Sequence, residues 1–153
     1  MDLTYRWTNG HDPDFRAFYL KTEEYYNRIA GGADRRRGFM PYNISESVTD
    51  ALIALDGEKA VGCAGLKPYS DSDIEVKRVW VEPEYRGRHV AREMMTLLEA
   101  EAAKKGYRRA ILQTRPVMGD AVGLYLSLGY RLIDNYPPYD KLEGAVCYAK
   151  ELR

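Results

Sequence analysis

Ile74-Glu75-Val76-Lys77-Arg78-Val79-Trp80-Val81, then Glu82-Pro83-Glu84-Tyr85, then Arg86-Gly87-Arg88-His89-Val90-Ala91-Arg92 run consecutively through the middle of the chain. They read as a β-rich strand, a break at Pro83, and a basic turn opening a helix. Val90, Met94, Leu97, Leu98 and Ala102 fall on one face at helical spacing, which predicts a helix from about Val90 to Lys105. The start of that helix is unusual. A helix N-terminus carries partial positive charge from unpaired N–H groups, and Asp or Glu normally stands there. Here Arg86, Arg88, His89 and Arg92 do instead. A bound anion would relieve the like charges, and backbone N–H groups at such a turn suit a phosphate or pyrophosphate. The plain alternative is a solvated basic turn.

The strand has its own irregularity. Ile74 and Val76 alternate with Glu75 and Lys77, but the next apolar pair is Val79 and Val81, so the parity of the apolar face slips by one. A bulge, a change of face or burial on both sides can produce that slip. A bulge is the expectation, and bulges often lie beside active sites.

A length of 153 residues fits one domain with a substantial core. Hydrophobic residues at 45% and charged residues at 30% are an ordinary soluble balance, neither disordered nor membrane-like. Basic and acidic residues balance at 23 each, so no global field draws nucleic acid or an acidic membrane, and any anion site must be local. No apolar run reaches bilayer length, and Met1-Asp2-Leu3-Thr4 carries no signal-peptide pattern, so a cytoplasmic location is expected. Cys63 and Cys147 sit in apolar strand-like contexts and read first as buried thiols. With two cysteines and two histidines far apart, no metal site is expected.

Along the chain, Leu3 to Thr8 alternates as a first strand. Asp14 is a candidate cap for a helix using Phe15, Phe18, Tyr19, Tyr25 or Tyr26, and Ile29, stopped by Gly31-Gly32. Asp34 to Gly38 is a basic loop, and Phe39 to Ser47 is ambiguous. Thr49 to Leu55 and Lys59 to Leu66 form a hairpin about Asp56-Gly57, with Gly62 and Gly65 thinning the second strand for a close approach. Gly106 stops the long helix, and Arg109 to Thr114 is the next strand. Strand, helix, strand is a βαβ unit, with the two strands parallel and a right-handed crossover. In such a unit a ligand sits at the carboxyl end of the first strand, where the basic turn lies. Asp120 to Leu128 is a short helix, Tyr130 to Ile133 and Ala145 to Leu152 are strands, and Tyr136-Pro137-Pro138-Tyr139 is a rigid aromatic loop.

The run from Val79 to Arg92 resembles the signature of the GNAT superfamily of acetyl-CoA-dependent N-acetyltransferases, Arg/Gln-x-x-Gly-x-Gly/Ala after a strand ending near Pro. It maps onto Arg86, His89 and Ala91, with His89 departing from the usual Gly. Leu124-Tyr125-Leu126-Ser127-Leu128-Gly129-Tyr130 is similar to the family's second motif. The resemblance implies one α/β N-acetyltransferase domain over 1–153. Its sheet would be mixed, mostly antiparallel, of about seven strands, with helices on both faces and a central parallel βαβ unit splayed between 74–81 and 109–114. It implies that pantetheine enters the splay, that the backbone from Val79 through Trp80 to Val81 contacts the cofactor, and that N–H groups of Arg86, Gly87, Arg88, His89, Val90, Ala91 and Arg92 hold its pyrophosphate.

Acetyl transfer needs an amine stripped of its proton, a donor for the developing oxyanion and a proton for the leaving thiolate. Glu75 is the candidate base, directly or through water, against the alternative of a solvent-facing carboxylate paired with Lys77 or Arg78. The Val81 N–H is the candidate oxyanion donor. Tyr125 matches the family's general acid. Neither cysteine has a nucleophile's context, which favours direct attack in a ternary complex. The acceptor is expected to be a primary amine of a small molecule, such as an amino acid or analogue. Its pocket would be shaped by Arg35 to Arg37, Phe39 to Tyr42 and the Tyr136 to Tyr139 loop. A non-catalytic acyl-CoA sensor and a nucleotide-binding regulatory domain are the alternatives. Homodimers are common in the family, and nothing else in the sequence speaks to assembly.

Overall fold

The computed structural model describes residues 2–30, 45–114 and 119–152, with the side chains of 26–30 and 119–120 excepted. Seven strands form one sheet in the order β1-β2-β3-β4-β5-β7-β6. They are β1 (Thr4–Thr8), β2 (Asp50–Asp56), β3 (Lys59–Pro68), β4 (Asp73–Val81), β5 (Arg109–Thr114), β6 (Arg131–Ile133) and β7 (Val146–Glu151). The helices are α1 (Pro13–Ala30), α2 (Val90–Lys104) and α3 (Gly119–Ser127). Among the described residues only β4 and β5 pair in parallel; every other neighbour is antiparallel. The β2–β3 hairpin closes with Asp56 opposite Lys59, and Gly57 takes the left-handed φ of 63° that so tight a turn demands.

Two local expectations are corrected. Asp12, not Asp14, caps α1: its Oδ1 accepts the N–H of Asp14 at 2.8 Å and of Phe15 at 3.2 Å. Pro13 occupies the first helical position, where its missing N–H costs nothing, so the cap falls on the residue before it. Asp14 instead accepts a hydrogen bond from Arg6. On α2, Met95 is buried and Leu97 is 36% exposed. Positions four apart advance by about 40° around a helix, so the buried stripe Val90–Met94–Leu98–Ala102 turns toward Met95 and leaves Leu97 at its edge. The expected apolar contacts of Tyr26 and Ile29, the Gly31-Gly32 stop, the basic loop from Asp34 to Gly38 and the stretch 39–44 lie outside the described residues or side chains. Ser45–Ser47 forms a short 3₁₀ turn.

The sheet has a core on each face. Ile74, Val76, Val81, Ala110, Leu112, Tyr125, Tyr130 and Tyr148 pack with α2 residues in one cluster. Phe15 and Phe18 of α1 pack with Ala51, Ile53, Cys63 and Trp80 in the other. Tyr139, Ala145 and Cys147 form a third. Both cysteines are buried free thiols. A methyl group on Gly62 would stand 2.9 Å from the Trp80 carbonyl oxygen, so the close approach foreseen for β3 is made by β4 itself.

The parity slip is a bulge. Cys63 pairs with Trp80 and Gly65 with Lys77, so β4 spends one residue more than β3 over this stretch, and Arg78 takes φ 57°. Before the bulge Ile74 and Val76 face α2; after it Val81 does, with Val79 packed on the same cluster, and Trp80 crosses to the α1 core. The Arg78 guanidinium turns into the α1 side. There it donates to Thr22 Oγ1 at 3.0 Å and to the Glu23 carboxylate, and lies 4.2 Å from the centre of the Tyr19 ring.

Beside the bulge the sheet forks. β4 and β5 pair only at Asp73–Arg109, Ile74–Ala110 and Glu75–Ile111. Beyond Glu75, β4 stays with β3 and β5 stays with β7, which opens the expected splay.

Candidate active site

Glu75 stands at the last paired position of the fork, on the sheet face opposite α2. It is 3% exposed, so it is not a solvent-facing carboxylate. Tyr136 donates its hydroxyl to Glu75 Oε2 at 2.7 Å, and Lys77 Nζ lies 3.6 Å from Oε1. Lys77 also donates to Tyr139 Oη at 2.7 Å. Burial pushes the Lys77 ammonium down to about 8 against the pull of Glu75. Burial, reinforced by the charge of Glu75, raises the hydroxyls of Tyr136 and Tyr139 above the ordinary tyrosine range. Tyr69 buttresses this group. Its ring meets Tyr136 edge-on at 5.0 Å, and its hydroxyl donates to the Pro137 carbonyl at 2.7 Å. Of the two pairings foreseen for Glu75, the one with Lys77 forms, while Arg78 goes to Glu23.

Tyr125 lies on the other face. It packs in the α2-side cluster, its ring edge-on to Tyr130 at 5.8 Å. Tyr130 is fixed in turn by donating to Glu99 Oε2 at 3.0 Å, and Lys150 holds the other oxygen of Glu99 at 2.7 Å. Glu75 and Tyr125 are therefore on opposite sides of the sheet. Beyond Glu75 the fork opens a gap in the sheet between those two faces.

Between them runs the outer edge of β4. The Glu82 N–H bonds to the Val61 carbonyl at 2.8 Å. In an antiparallel ladder alternate residues point to alternate edges, so Val81 turns its N–H and carbonyl away from β3, toward the gap. The Val81 carbonyl accepts from Arg86 Nε at 2.8 Å, and the Arg86 guanidinium stacks 4.7 Å from the centre of the Trp80 ring. The Arg86 N–H goes to the Pro83 carbonyl at 3.3 Å. Arg86, foreseen as an N–H donor to an anion, is thus engaged within the protein through backbone and side chain alike. Trp80 Nε1 donates to Glu82 at 2.9 Å, and by the same alternation its backbone N–H and carbonyl face β3, so Trp80, foreseen as a backbone contact to the cofactor, is turned from the gap.

The turn itself is built for N–H presentation. Gly87 has φ 79° and His89, the N-cap of α2, has φ 64° and ψ 20° with no side-chain cap. The first α2 bond runs from the Glu93 N–H to the His89 carbonyl, so the N–H groups of Val90, Ala91 and Arg92 have no acceptor within the helix. Arg88 lies over Tyr85 at 5.7 Å, and Arg92 donates to Ser127 Oγ at 2.7 Å, tying α2 to α3. A left-handed conformation costs a side chain about 1–2 kcal/mol that glycine avoids. His89→Gly is therefore expected to raise the melting temperature by about 2–4 °C, the shift that ~1 kcal/mol gives a chain of this size. Calorimetry giving a lower melting temperature would contradict the strained turn.

The sequence reading named Glu75, Val81 and the turn, and gave Lys77 only as a counter-charge to Glu75, not as its link to Tyr139. The available signal was parity: Lys77 shares the Glu75 face until the bulge.

Residues 5–130 match the model of the acetyltransferase (GNAT) family. The chain belongs to that family. Human N-acetyltransferase 8B is 31% identical over 93 residues, 58% of this chain and 41% of that protein. The chain spans about half or less of the first curated relatives it matches, between 40% and 51% of their lengths. A Klebsiella pneumoniae structure assigned to the acyl-CoA N-acyltransferases aligns over 99% of this chain and 98% of its own, with a TM-score of 0.82 and 22% identity. A GNAT family acetyltransferase from Elizabethkingia anophelis, solved with acetyl-CoA bound, aligns over 97% of each chain with a TM-score of 0.69 and 17% identity. Among the described residues no helix is long and apolar enough to cross a membrane.

Proposed function

We propose that this chain moves an acetyl group from acetyl-CoA to the primary amine of a small molecule, such as an amino acid or analogue, by direct attack in a ternary complex. The observation that carries the reading is the fork. Three paired positions are followed by a bare β4 edge, with the Val81 N–H aimed into the gap and three helix N–H groups at its mouth. That cradle fits a thioester carbonyl beside a pyrophosphate, with Val79 and Val81 offering backbone, and Gly87, Arg88, His89, Val90, Ala91 and Arg92 forming the anion turn.

Acetyl-CoA supplies the thioester whose carbonyl carbon gains the amine nitrogen and loses the CoA sulfur. Val81 donates its N–H to the oxygen that becomes negative on attack. Glu75 takes the proton of the ammonium on the α1 face, directly or through a water. After attack the nitrogen's second proton passes to water, and Tyr125 gives a proton to the departing sulfur on the α2 face and regains one from water. The two buried free thiols fit action in a reducing cytoplasm.

The test is free-thiol release from acetyl-CoA against a panel of amino acids, amines and peptides, with Glu75→Gln and Tyr125→Phe alongside. Release that requires an acceptor, and is weakened in both variants, supports transfer and names the acceptor class. The second reading, a non-catalytic acyl-CoA sensor, draws on the closed hydrogen-bond set around Glu75. It predicts cofactor binding with no release for any acceptor and silent replacements.

A further inference from the structure

We infer that Tyr136 and Lys77 are positioning residues that hold the two oxygens of Glu75 at the fork, so that the loop from Tyr136 to Tyr139 sets the direction in which the base faces. The inference rests on the reading of Glu75 as the base. Oε2 accepts from Tyr136 and Oε1 lies beside the Lys77 ammonium, so the carboxylate is gripped at both ends rather than free to rotate. Each holder is itself held. Lys77 is tied to Tyr139, and Tyr136 is packed between Tyr69 at 5.0 Å and Tyr139 at 5.5 Å. The loop is anchored by Tyr69 on the Pro137 carbonyl, and by Asn135, which donates to the Ala145 carbonyl at 2.9 Å. Tyr136 and Lys77 thus meet one carboxylate at the fork, with the Tyr69 and Tyr139 rings packed behind them. A structural pair alone would not require that placement, since Glu75 could have been an apolar residue like its neighbours Ile74 and Val76.

The titratable and charged groups facing Glu75 are Lys77 and Arg78 on its own strand, Lys67 opposite it on β3, and Tyr69 before β4. Tyr136 and Tyr139 face it from the β6–β7 connection, and Cys147 from β7. Removing a donor or a positive neighbour makes a carboxylate easier to protonate. Both Tyr136→Phe and Lys77→Met therefore loosen the hold on the Glu75 carboxylate.

Two readouts test this. With an acceptor from the panel, Tyr136→Phe is expected to lower kcat/KM about tenfold at neutral pH and to shift its acid limb upward, leaving the KM for acetyl-CoA unchanged. In a Glu75→Gln background the same substitution should have no further effect, because the residue it positions is gone. The second readout needs no turnover: the Glu75 carboxyl carbon, followed by carbon-13 NMR at neutral pH, should change its chemical shift in Tyr136→Phe and in Lys77→Met, because each variant removes the contact at one of its oxygens. An unmoved carboxyl signal in both variants overturns the inference, as do losses that simply add to that of Glu75→Gln. If the wild type releases no thiol with any amine, the acetyl-transfer reading fails, and the NMR signal still decides the positioning.

Discussion

Tyr125→Phe is expected to lower kcat by about 10²–10⁴-fold, with Glu75→Gln falling in the same range. The substitution removes one oxygen and keeps the ring that packs edge-on to Tyr130, so the α2-side core loses little. The effect should appear in kcat rather than in the KM for acetyl-CoA, because in the proposed reaction the hydroxyl acts only as the carbon–sulfur bond breaks. Its size should lie toward the lower end where water can reach the sulfur and protonate it instead. Steady-state thiol release with saturating acceptor measures this directly. A kcat within about twofold of the wild type would mean that Tyr125 is packing and that another group, or water, protonates the thiolate.

Arg78→Met is expected to cost about 3–5 kcal/mol of folding stability. Arg78 sits at the bulge with its side chain 4% exposed, and Glu23, its partner on α1, is 13% exposed. Methionine fills part of the volume but strips Glu23 and Thr22 of a donor, leaving a carboxylate desolvated against the sheet. Pairing the change with Glu23→Gln should restore part of the loss, since a neutral amide costs less than a carboxylate to keep at this part-buried position without the Arg78 donor. Urea unfolding of the two variants measures both quantities. A single-variant loss below ~1 kcal/mol would show that the ion pair is weak and that the bulge is held by the sheet alone.

The sequence was most legible where the rule is local. A period-two pattern that changes parity between Val76 and Val79 has few physical solutions, and the bulge at Arg78 is one of them. The strand–helix–strand order fixed a parallel pair, and with it the carboxyl end of β4 as the place to look. Legibility failed where partners are far apart in the chain. Tyr136 reaches Glu75 across 61 positions, and Arg78 reaches Glu23 across 55, so neither contact leaves a periodic trace. Two failures were finer. Asp12 and Asp14 are both good caps, and Pro13 decides between them. Arg86 belongs to a basic turn by composition, yet the Trp80 face and the Val81 carbonyl lie within its reach and draw its guanidinium back onto β4. The acceptor side was the least legible: Arg35 to Arg37 and Phe39 to Tyr42, the stretches expected to shape the acceptor pocket, lie outside the described residues, while the Tyr136 to Tyr139 loop is built around Glu75 and Lys77.

The central claim is that the fork and the α2 turn together receive acetyl-CoA. Amide NMR of the nitrogen-15-labelled protein, titrated with acetyl-CoA, tests it most directly. The account predicts the largest shifts at the N–H groups of Val81 and of Gly87 through Arg92, with the β1 and β2 amides unmoved. Saturable shifts confined to another part of the surface, or none at millimolar acetyl-CoA (roughly −4 kcal/mol of binding), would contradict it.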